Sequence, residues 1–342
     1  MSTLTERQTT NERDDSVGGV ELTYRQAITA ALDDEMSADA SVVLLGEDVG
    51  AAGGVFKTNE GLIEKFGPQR VINTPISENG FVGVALGMAV SGLRPVVEIM
   101  FSDFLPSAGD AIVNELPKFR FMSGGQTSVP VTVRSIAGGT GRFGTQHSAT
   151  GESWYIGLPG LRVAVAGSPG AAYELLRFAI QHDNPVLFFE HKGLYARKGP
   201  VRRGTVATFG RADVVRSGSD VSIAATLLMV ERSLTAAAAL ADEGINAEVI
   251  DLRWLSPLDL DTVHDSVERT RRLVIAEEQV HAGGWGATLI SRLAGAGIRF
   301  ASPPRAVSLP DNVLIPYSPA LEDAIIPTPE RIAEAARATV RG

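Results

Sequence analysis

One glutamate and one histidine stand out as side chains that could move protons. Glu78 ends the segment Thr74-Pro-Ile-Ser-Glu78 and opens an almost wholly apolar stretch, with Ser77 as a candidate helix N-cap. A carboxylate there either stabilises the first turn of a helix or is a partly desolvated acid with a shifted pKa. His147 follows a glycine-rich loop, residues 138–144. It is either a proton donor and acceptor or a surface histidine that caps a turn.

A further acid, Glu47, follows a short apolar segment that ends at Gly46. Ligands of α/β proteins bind at the carboxyl ends of the strands, so Glu47 and its neighbour Asp48 mark either a binding site or a solvated turn. Several common sites are excluded. The glycine-rich loop has neither the P-loop ending nor the dinucleotide-binding spacing, and no serine-hydrolase motif occurs. The chain contains no cysteine, which excludes thiolate metal sites and cysteine nucleophiles.

Length and composition indicate a globular protein of two domains. The chain has 342 residues, of which 44% are hydrophobic and 21% charged. A net charge of −9 argues against a nucleic-acid partner. Residues 1–19 are polar and predict a disordered tail rather than a signal peptide. The uncharged run 79–93 is shorter than the roughly 18 residues of a membrane span, so we expect a cytoplasmic protein without a membrane partner.

Helix-period segments and short apolar, β-branched segments alternate along the chain. This alternation predicts α/β domains with mostly parallel sheets covered by helices on both faces. A segment rich in Gly, Arg and Pro, residues 201–220, predicts a linker between domains at 20–200 and 221–340. In the first domain, helices are predicted at 23–36, 79–91, 107–122 and 169–182, and strands at 41–46, 70–73, 94–100, 130–134, 161–166 and 185–190.

Three glycines of the predicted helix 79–91 lie on one face, at Gly80, Gly83 and Gly87. Such a face allows another backbone to approach closely. The partner is either a second chain or, in the simpler interpretation, the sheet of the same domain.

Five motifs together carry a family resemblance: GEDVG at 46–50, NTPISE at 73–78, GLRPVVEI at 92–99, QHS at 146–148 and EHKGLY at 190–195. With the segments between them, in the same order over residues 22–326, they make the chain resemble the β subunit of the thiamine-diphosphate-dependent 2-oxo acid dehydrogenases. This subunit belongs to the first, decarboxylating component. The resemblance implies two three-layer α/β domains. One is a transketolase-like pyrimidine-binding domain with a mostly parallel sheet, and the other is a smaller transketolase C-terminal-like domain.

The resemblance also implies roles for individual residues. Glu78 corresponds to the acid that binds the aminopyrimidine of thiamine diphosphate, Glu47 lies close to it, and His147 acts near the reacting carbons and in acyl transfer to a lipoyl arm. The pyrimidine pocket is lined at three matching positions, for which ordinary core packing is the alternative: Ile76, Met100 and Phe104. In some members a potassium ion is held largely by main-chain oxygens, at positions that match Val131, Ala179, Ile180, His182 and Asn184.

A β subunit of this kind holds half of an active site. The resemblance implies an α subunit that carries the diphosphate and most of the magnesium site, in a heterotetramer with two copies of each chain, and a lipoyl-bearing acyltransferase component. The chain lacks a Gly-Asp-Gly motif of the thiamine type, which agrees with this division. The EHKGLY segment favours a 2-oxo acid of the pyruvate or acetoin type. A branched-chain substrate, a split transketolase and a non-catalytic assembly subunit are the alternatives.

The chain departs from the family after QHS. Many members carry a glutamine directly after this motif and a second histidine before the following Pro-Gly, where this sequence has Ala149 and Gly157. Glycine cannot transfer a proton, so a mechanism with two histidines, and with it the usual substrate, is in question.

Overall fold

The structure is a computed structural model and describes residues 19–342. The predicted disordered tail lies outside the described residues, apart from Gly19. The strands are β1 (Val20–Thr23), β2 (Val42–Gly46), β3 (Val71–Asn73), β4 (Arg94–Ile99), β5 (Thr132–Ala137), β6 (Arg162–Val165), β7 (Val186–His191), β8 (Lys198–Val201), β9 (Asp213–Arg216), β10 (Val221–Ala225), β11 (Ala247–Asp251), β12 (Trp254–Ser256), β13 (Leu273–Val280) and β14 (Arg305–Leu309).

The α-helices alternate with these strands, as the sequence pattern predicts. They are α1 (Tyr24–Ala38), α2 (Leu62–Phe66), α3 (Glu78–Val90), α4 (Leu116–Met122), α5 (Pro169–Gln181), α6 (Leu228–Asp242), α7 (Leu260–Thr270), α8 (Trp285–Gly295), α9 (Pro319–Ile325) and α10 (Pro329–Arg341). Within the described part of the chain, no helix is long and apolar enough to cross a lipid bilayer.

The first domain is built on a seven-stranded sheet with the strand order β12-β6-β7-β5-β4-β2-β3. All neighbouring strands are parallel except β12, which pairs antiparallel with β6 and comes from the C-terminal half of the chain. Successive strand residues point to opposite faces. Leu44 therefore packs with α1 and α5 on one face, and Leu45 packs with α3 on the other. Because both faces of the sheet are buried, the sequences of these strands are continuous apolar runs.

The second domain is built on a five-stranded sheet with the order β14-β13-β10-β11-β9. Strands β14, β13, β10 and β11 are parallel, and β9 is antiparallel to β11. The predicted linker 201–220 thus includes β9, and that part of it is built into the second sheet. A two-stranded antiparallel sheet, β1 with β8, pairs Val20 with Val201 and joins the two ends of the first domain. Two three-layer α/β domains with mostly parallel sheets confirm the predicted fold class.

The predicted helix 107–122 is wrong as a single helix. Its first residues belong to a 3-10 helix, Ser102–Ala108, which is followed by a π-helical turn, Ala111–Glu115, and only then by α4. Pro117 has no N–H and cannot donate the bond that an uninterrupted α-helix needs at this point. The Leu116 N–H instead reaches five residues back, to the Ala111 carbonyl. A π-helical turn is a common feature of functional sites.

Candidate functional site

Two acids lie at the carboxyl edge of adjacent parallel strands. Glu47 directly follows β2, and Glu78 begins α3 after the short loop that leaves β3. The register pairs Gly46 with Asn73, and the Thr74 N–H donates to the Gly46 carbonyl at 2.9 Å, which keeps the two loops together. No side chain fits at Gly46, because a Cβ there would lie 2.6 Å from the Glu98 carbonyl oxygen.

The carboxyl of Glu47 is unusual because one of its oxygens, Oε1, is buried without a hydrogen-bond partner. Burial raises the pKa of Glu47, and the negative charges of Glu78 and Asp48 raise it further. The carboxyl of Glu78 is half-buried, and no residue of the described chain donates a hydrogen bond to it. Ser77 stands at the N-cap position, as predicted, but its side chain makes no capping bond. Two unpaired acids at one sheet edge can hold and pass a proton to a bound nitrogen heterocycle.

The three positions predicted to line the pyrimidine pocket are not part of the closed core. Ile76 is 83% exposed, although isoleucine is among the residue types most often buried. Met100, directly after β4, and Phe104, in the following 3-10 helix, are half-buried. Ordinary core packing therefore does not explain Ile76, whereas Phe104 packs in part against the apolar cluster that contains Phe81 and Leu105.

His147 ends a short 3-10 turn, Thr145–His147, directly after the glycine-rich loop. Its half-buried imidazole meets the ring of Phe101 edge-on at 4.7 Å and that of Phe104 at 5.5 Å. An open depression of about 420 Å³ beside it is lined by Asp103, Phe104, Thr145, Gln146 and His147. The structure thus brings Phe104 and His147 together, and it brings Glu47 and Glu78 together. No hydrogen bond or ion pair within residues 19–342 joins the two pairs.

The second domain holds the loop that carries His147. Glu278, on β13, accepts a hydrogen bond from the Gly139 N–H with Oε1, and its Oε2 lies 3.0 Å from Nε2 of the buried His191. Thr150 Oγ1 donates to the main-chain oxygen of Glu278. Burial would raise the pKa of Glu278, but His191 and the Gly139 N–H outweigh it, so this pKa is lowered. His191 is thus one half of a contact between the domains.

Sequence reasoning missed the partners of this loop. Glu278 is separated by 87 residues from His191, and no local pattern links them. Asp103, whose carboxylate accepts the Ala149 N–H at 3.1 Å, was also missed. The only signal was the EHKGLY segment, which contains His191 and contributed to the family resemblance but not to the set of site residues.

The glycine face of α3 is open within the chain. Gly83 and Gly87 are exposed, and a Cβ at either position would meet nothing within 4 Å. Val84, between them, is 53% exposed. The simpler interpretation, close packing on the sheet of the same domain, is therefore wrong for these two glycines, whereas the proposed contact with a second chain stays a prediction.

The predicted potassium positions lie around the C-terminus of α5. The main-chain oxygens of Ile180 and His182 accept hydrogen bonds from Arg94 Nη1 at 3.1 and 3.4 Å, and that of Val131 accepts the Val186 N–H at 3.0 Å. These oxygens already have donors, and the guanidinium brings a positive charge to the helix end. Each of these oxygens keeps a second lone pair, and a potassium site stays an untested prediction.

The side chains of Asn184 and His182 also have partners, and they lie 3.3 Å apart from Nδ2 to Nε2. Asn184 Oδ1 accepts from Arg120 at 2.7 Å, and the ring of His182 stacks on Phe178 at 5.1 Å. Ala179 is buried inside α5. No cluster of three or more histidines and carboxylates that could hold a metal ion occurs within residues 19–342.

Gly157, where relatives often have histidine, lies on the surface. A Cβ there would meet nothing within 4 Å, and its backbone is outside the left-handed region that favours glycine. Packing of this chain therefore does not require a glycine at this position.

Known families and proteins match most of the chain. Residues 20–198 match the pyrimidine-binding domain of transketolase, and residues 210–332 match the transketolase C-terminal domain. The chain is 43% identical to the β subunit of acetoin:2,6-dichlorophenolindophenol oxidoreductase of Cupriavidus necator, over 94% of this chain and 98% of the relative. It is 41% identical to a mitochondrial pyruvate dehydrogenase E1 β subunit of rice, Oryza sativa, over 94% and 87%.

Among solved structures, a split-gene transketolase in an inactive β4 tetramer matches with a TM-score of 0.77 and 24% identity, over 95% of this chain and 99% of that one. At that identity the likeness concerns the fold alone. Together with the relatives at about 40% identity, the two matched domains show that the chain belongs to the transketolase-like β subunits of the 2-oxo acid dehydrogenase first component.

Proposed function

We propose that this chain is the β subunit of a heteromeric enzyme of the pyruvate/acetoin type, which decarboxylates a 2-oxo acid on thiamine diphosphate and passes the acyl group to a lipoyl domain. The observation that carries the proposal is the pair Glu47 and Glu78, with a buried, unpartnered oxygen on Glu47. A buried polar atom without a partner is rare in proteins, and here it lies at the sheet edge where α/β proteins bind ligands.

The residues fit the aminopyrimidine half of that cofactor. Glu78 would bind the ring nitrogen, and Glu47, whose pKa is raised, stays protonated to a higher pH than an exposed glutamate. Ile76, Met100 and Phe104 offer apolar surface to the flat ring. When bound, thiamine diphosphate supplies the electron sink for decarboxylation. His147, beside an open depression, would exchange protons with the reacting substrate and with the arriving lipoyl group.

Half of the site would come from an α subunit, in a heterotetramer of two α and two β chains. Three observations support this. The sequence has no Gly-Asp-Gly diphosphate motif. No hydrogen bond or ion pair within residues 19–342 joins Glu47 or Glu78 to His147. In addition, Ile76 and the glycine face of α3 are exposed. We assign the diphosphate and magnesium to the α subunit and the acyl acceptor to a lipoyl-bearing acyltransferase.

The alternatives have less support. The relatives named as acetoin oxidoreductase and pyruvate dehydrogenase β subunits are 38–43% identical over nearly the whole chain, whereas the split transketolase is 24% identical. These identities favour pyruvate or acetoin over a branched-chain 2-oxo acid or a sugar. The unpaired acids and His147 also argue against a subunit with a purely structural role.

The test is reconstitution with a candidate α chain. We expect the lone chain to be inactive with thiamine diphosphate and magnesium, and the complex to reduce an artificial electron acceptor with pyruvate or acetoin faster than with branched-chain 2-oxo acids or sugar phosphates. Glu78→Ala should lower kcat by roughly a hundredfold or more. Glu64→Ala, an exposed acid on α2, is the control. Near-normal turnover of Glu78→Ala, or robust activity of the lone chain, would refute the proposal.

A further inference from the structure

Lys192 is a buried cation directly behind the loop that carries His147. It follows β7, only 9% of its surface is exposed, and its Nζ donates a 2.6 Å hydrogen bond to the main-chain oxygen of His147. The ammonium also lies 5.8 Å from the ring centroid of Phe101 and 5.3 Å from that of Phe143. Phe101 is the same ring that meets the His147 imidazole edge-on at 4.7 Å. Lys192 therefore touches the main chain of His147 and the ring against which its imidazole packs.

The position is costly for a lysine. Within residues 19–342, no carboxylate lies within 4 Å of Nζ, although buried charges in proteins are normally paired. Burial lowers the pKa of Lys192 to about 8, against the opposing influence of three more distant acids, Glu278 on β13, Asp103 in the 3-10 helix and Glu322 on α9. Burying the ammonium of Lys192 costs free energy, and its one protein hydrogen bond goes to the main-chain oxygen of His147. This bond therefore indicates what the lysine does.

The bond reaches a segment with little regular structure of its own. The 3-10 turn Thr145–His147 has no side-chain cap and follows a loop with left-handed backbone at Gly144. Besides Lys192, Thr145 Oγ1 anchors it to the main-chain oxygen of Ile315 at 3.0 Å. Cation–π attraction to the rings of Phe101 and Phe143 further restricts the position of the ammonium. The lysine can therefore set where the backbone of His147 lies and in which direction its imidazole points.

We propose that Lys192 is a positioning residue for His147: its ammonium holds the main-chain oxygen of His147 and the ring of Phe101, and so keeps the imidazole directed into the depression beside Asp103 and Phe104. The proposal rests on the proposed function, because it assumes that His147 acts on the substrate. Lys192 itself does not touch the reacting atoms.

The experiment compares three variants of the full chain. Lys192→Met keeps the aliphatic length but cannot donate, and Lys192→Arg keeps the charge and the donors. Lys57→Met is a matched control, because Lys57 also donates to a main-chain oxygen, that of Ala52 at 2.6 Å, but is exposed and in another loop. Far-UV circular dichroism and the melting temperature first establish that each variant is folded.

Amide hydrogen exchange of residues 144–149 is the first measurement, and it does not depend on activity. We expect Lys192→Met to exchange these amides roughly tenfold faster or more, Lys192→Arg to restore most of the protection, and Lys57→Met to leave it unchanged. Unchanged exchange in a folded Lys192→Met chain would overturn the proposal. So would a failure of Lys192→Arg to protect the loop better than Lys192→Met.

Turnover of the complex reconstituted with an α chain is the second measurement. We expect Lys192→Met to lower kcat about tenfold or more, and to add little to the loss caused by His147→Ala, because both changes remove the same imidazole from its place. Fully additive losses would overturn the proposal. Near-normal turnover of His147→Ala would instead count against the proposed function, while the exchange of residues 144–149 would still decide whether Lys192 holds the loop.

Discussion

Gly138 is the point at which the loop of His147 depends most directly on the packing between the domains. It follows β5 with a φ of +98°, and a Cβ there would lie 2.5 Å from two ring carbons of His191, and closer still to the ring nitrogen Nε2. The ring cannot move aside easily. It is fully buried, it accepts the Gly193 N–H at 3.0 Å, and its other nitrogen lies 3.0 Å from Glu278.

Gly138→Ala should therefore be strongly destabilising. A non-glycine residue held at this φ costs about 1–3 kcal/mol, and forcing an extra methyl group into a packed interior costs about 1–3 kcal/mol more. We expect the free energy of unfolding to fall by about 3 kcal/mol or more. The displaced His191 also loses its contact with Glu278. The amides of residues 139–150 should therefore exchange faster in Gly138→Ala than in the wild type, by a larger factor than the amides of the sheet.

Urea unfolding of the full chain, followed by tryptophan fluorescence and circular dichroism, measures the effect. Gly157→Ala is the matched control, because it adds the same methyl group at an exposed position with open space around it and an ordinary backbone. Its free energy of unfolding should stay within about 0.5 kcal/mol of wild type. A loss of less than about 1 kcal/mol in Gly138→Ala would refute the reasoning, because it would mean that His191 is not held in place.

Two further predictions concern buried charges. Arg134 is fully buried between Glu98 at 3.0 Å and Glu190 at 2.7 Å, so Arg134→Met should cost about 3–5 kcal/mol in urea unfolding. Arg337→Met is the control, because Arg337 pairs with Glu243 at 2.7 Å but at the surface, and it should cost far less stability; equal losses would contradict this. Burial raises the pKa of Glu152 to about 8. The unfolded chain therefore releases this proton at lower pH than the folded chain does, so between about pH 4.5 and 8 the contribution of Glu152 to stability falls as the pH rises. Glu152→Gln removes this pH dependence. The free energy of unfolding of the variant, relative to that of the wild type, should therefore increase by about 1 kcal/mol per pH unit across that range. The same difference at pH 5, 6.5 and 8 would show that Glu152 is not held protonated.

The strands and most helices of the first domain could be predicted because their signals are local. Apolar runs of strand length, such as 41–46 and 94–100, must be buried on both faces, and a parallel sheet covered by helices is the arrangement that does this. The predicted ends differ from the observed strand ends by at most three residues. The helix 107–122 was wrong because Pro117 changes the hydrogen bonding of a segment whose side-chain periodicity still resembles a helix.

The candidate site was predictable only in part. Glu47 and Glu78 follow neighbouring strands, so strand order alone brings them to one edge. The exposure of Ile76 and the unpartnered oxygen on Glu47 depend on which surfaces the folded chain leaves uncovered. The sequence does not give that information, because an apolar residue looks the same in the sequence whether it is buried in the core or lies at a surface that another molecule covers.

The sequence by itself determined the fold class, the order of the elements and the residues that carry the family resemblance, because periodicity and motifs depend on neighbouring positions. Only the tertiary structure decided what holds His147. The contact of Lys192 with His147 spans 45 residues, and that of Gly139 with Glu278 spans 139. Such contacts form only where tertiary packing brings distant segments together, within the first domain for Lys192 and between the two domains for Glu278. The energy that makes them specific, the cost of leaving a buried charge or N–H unpaired, exists only in the folded interior.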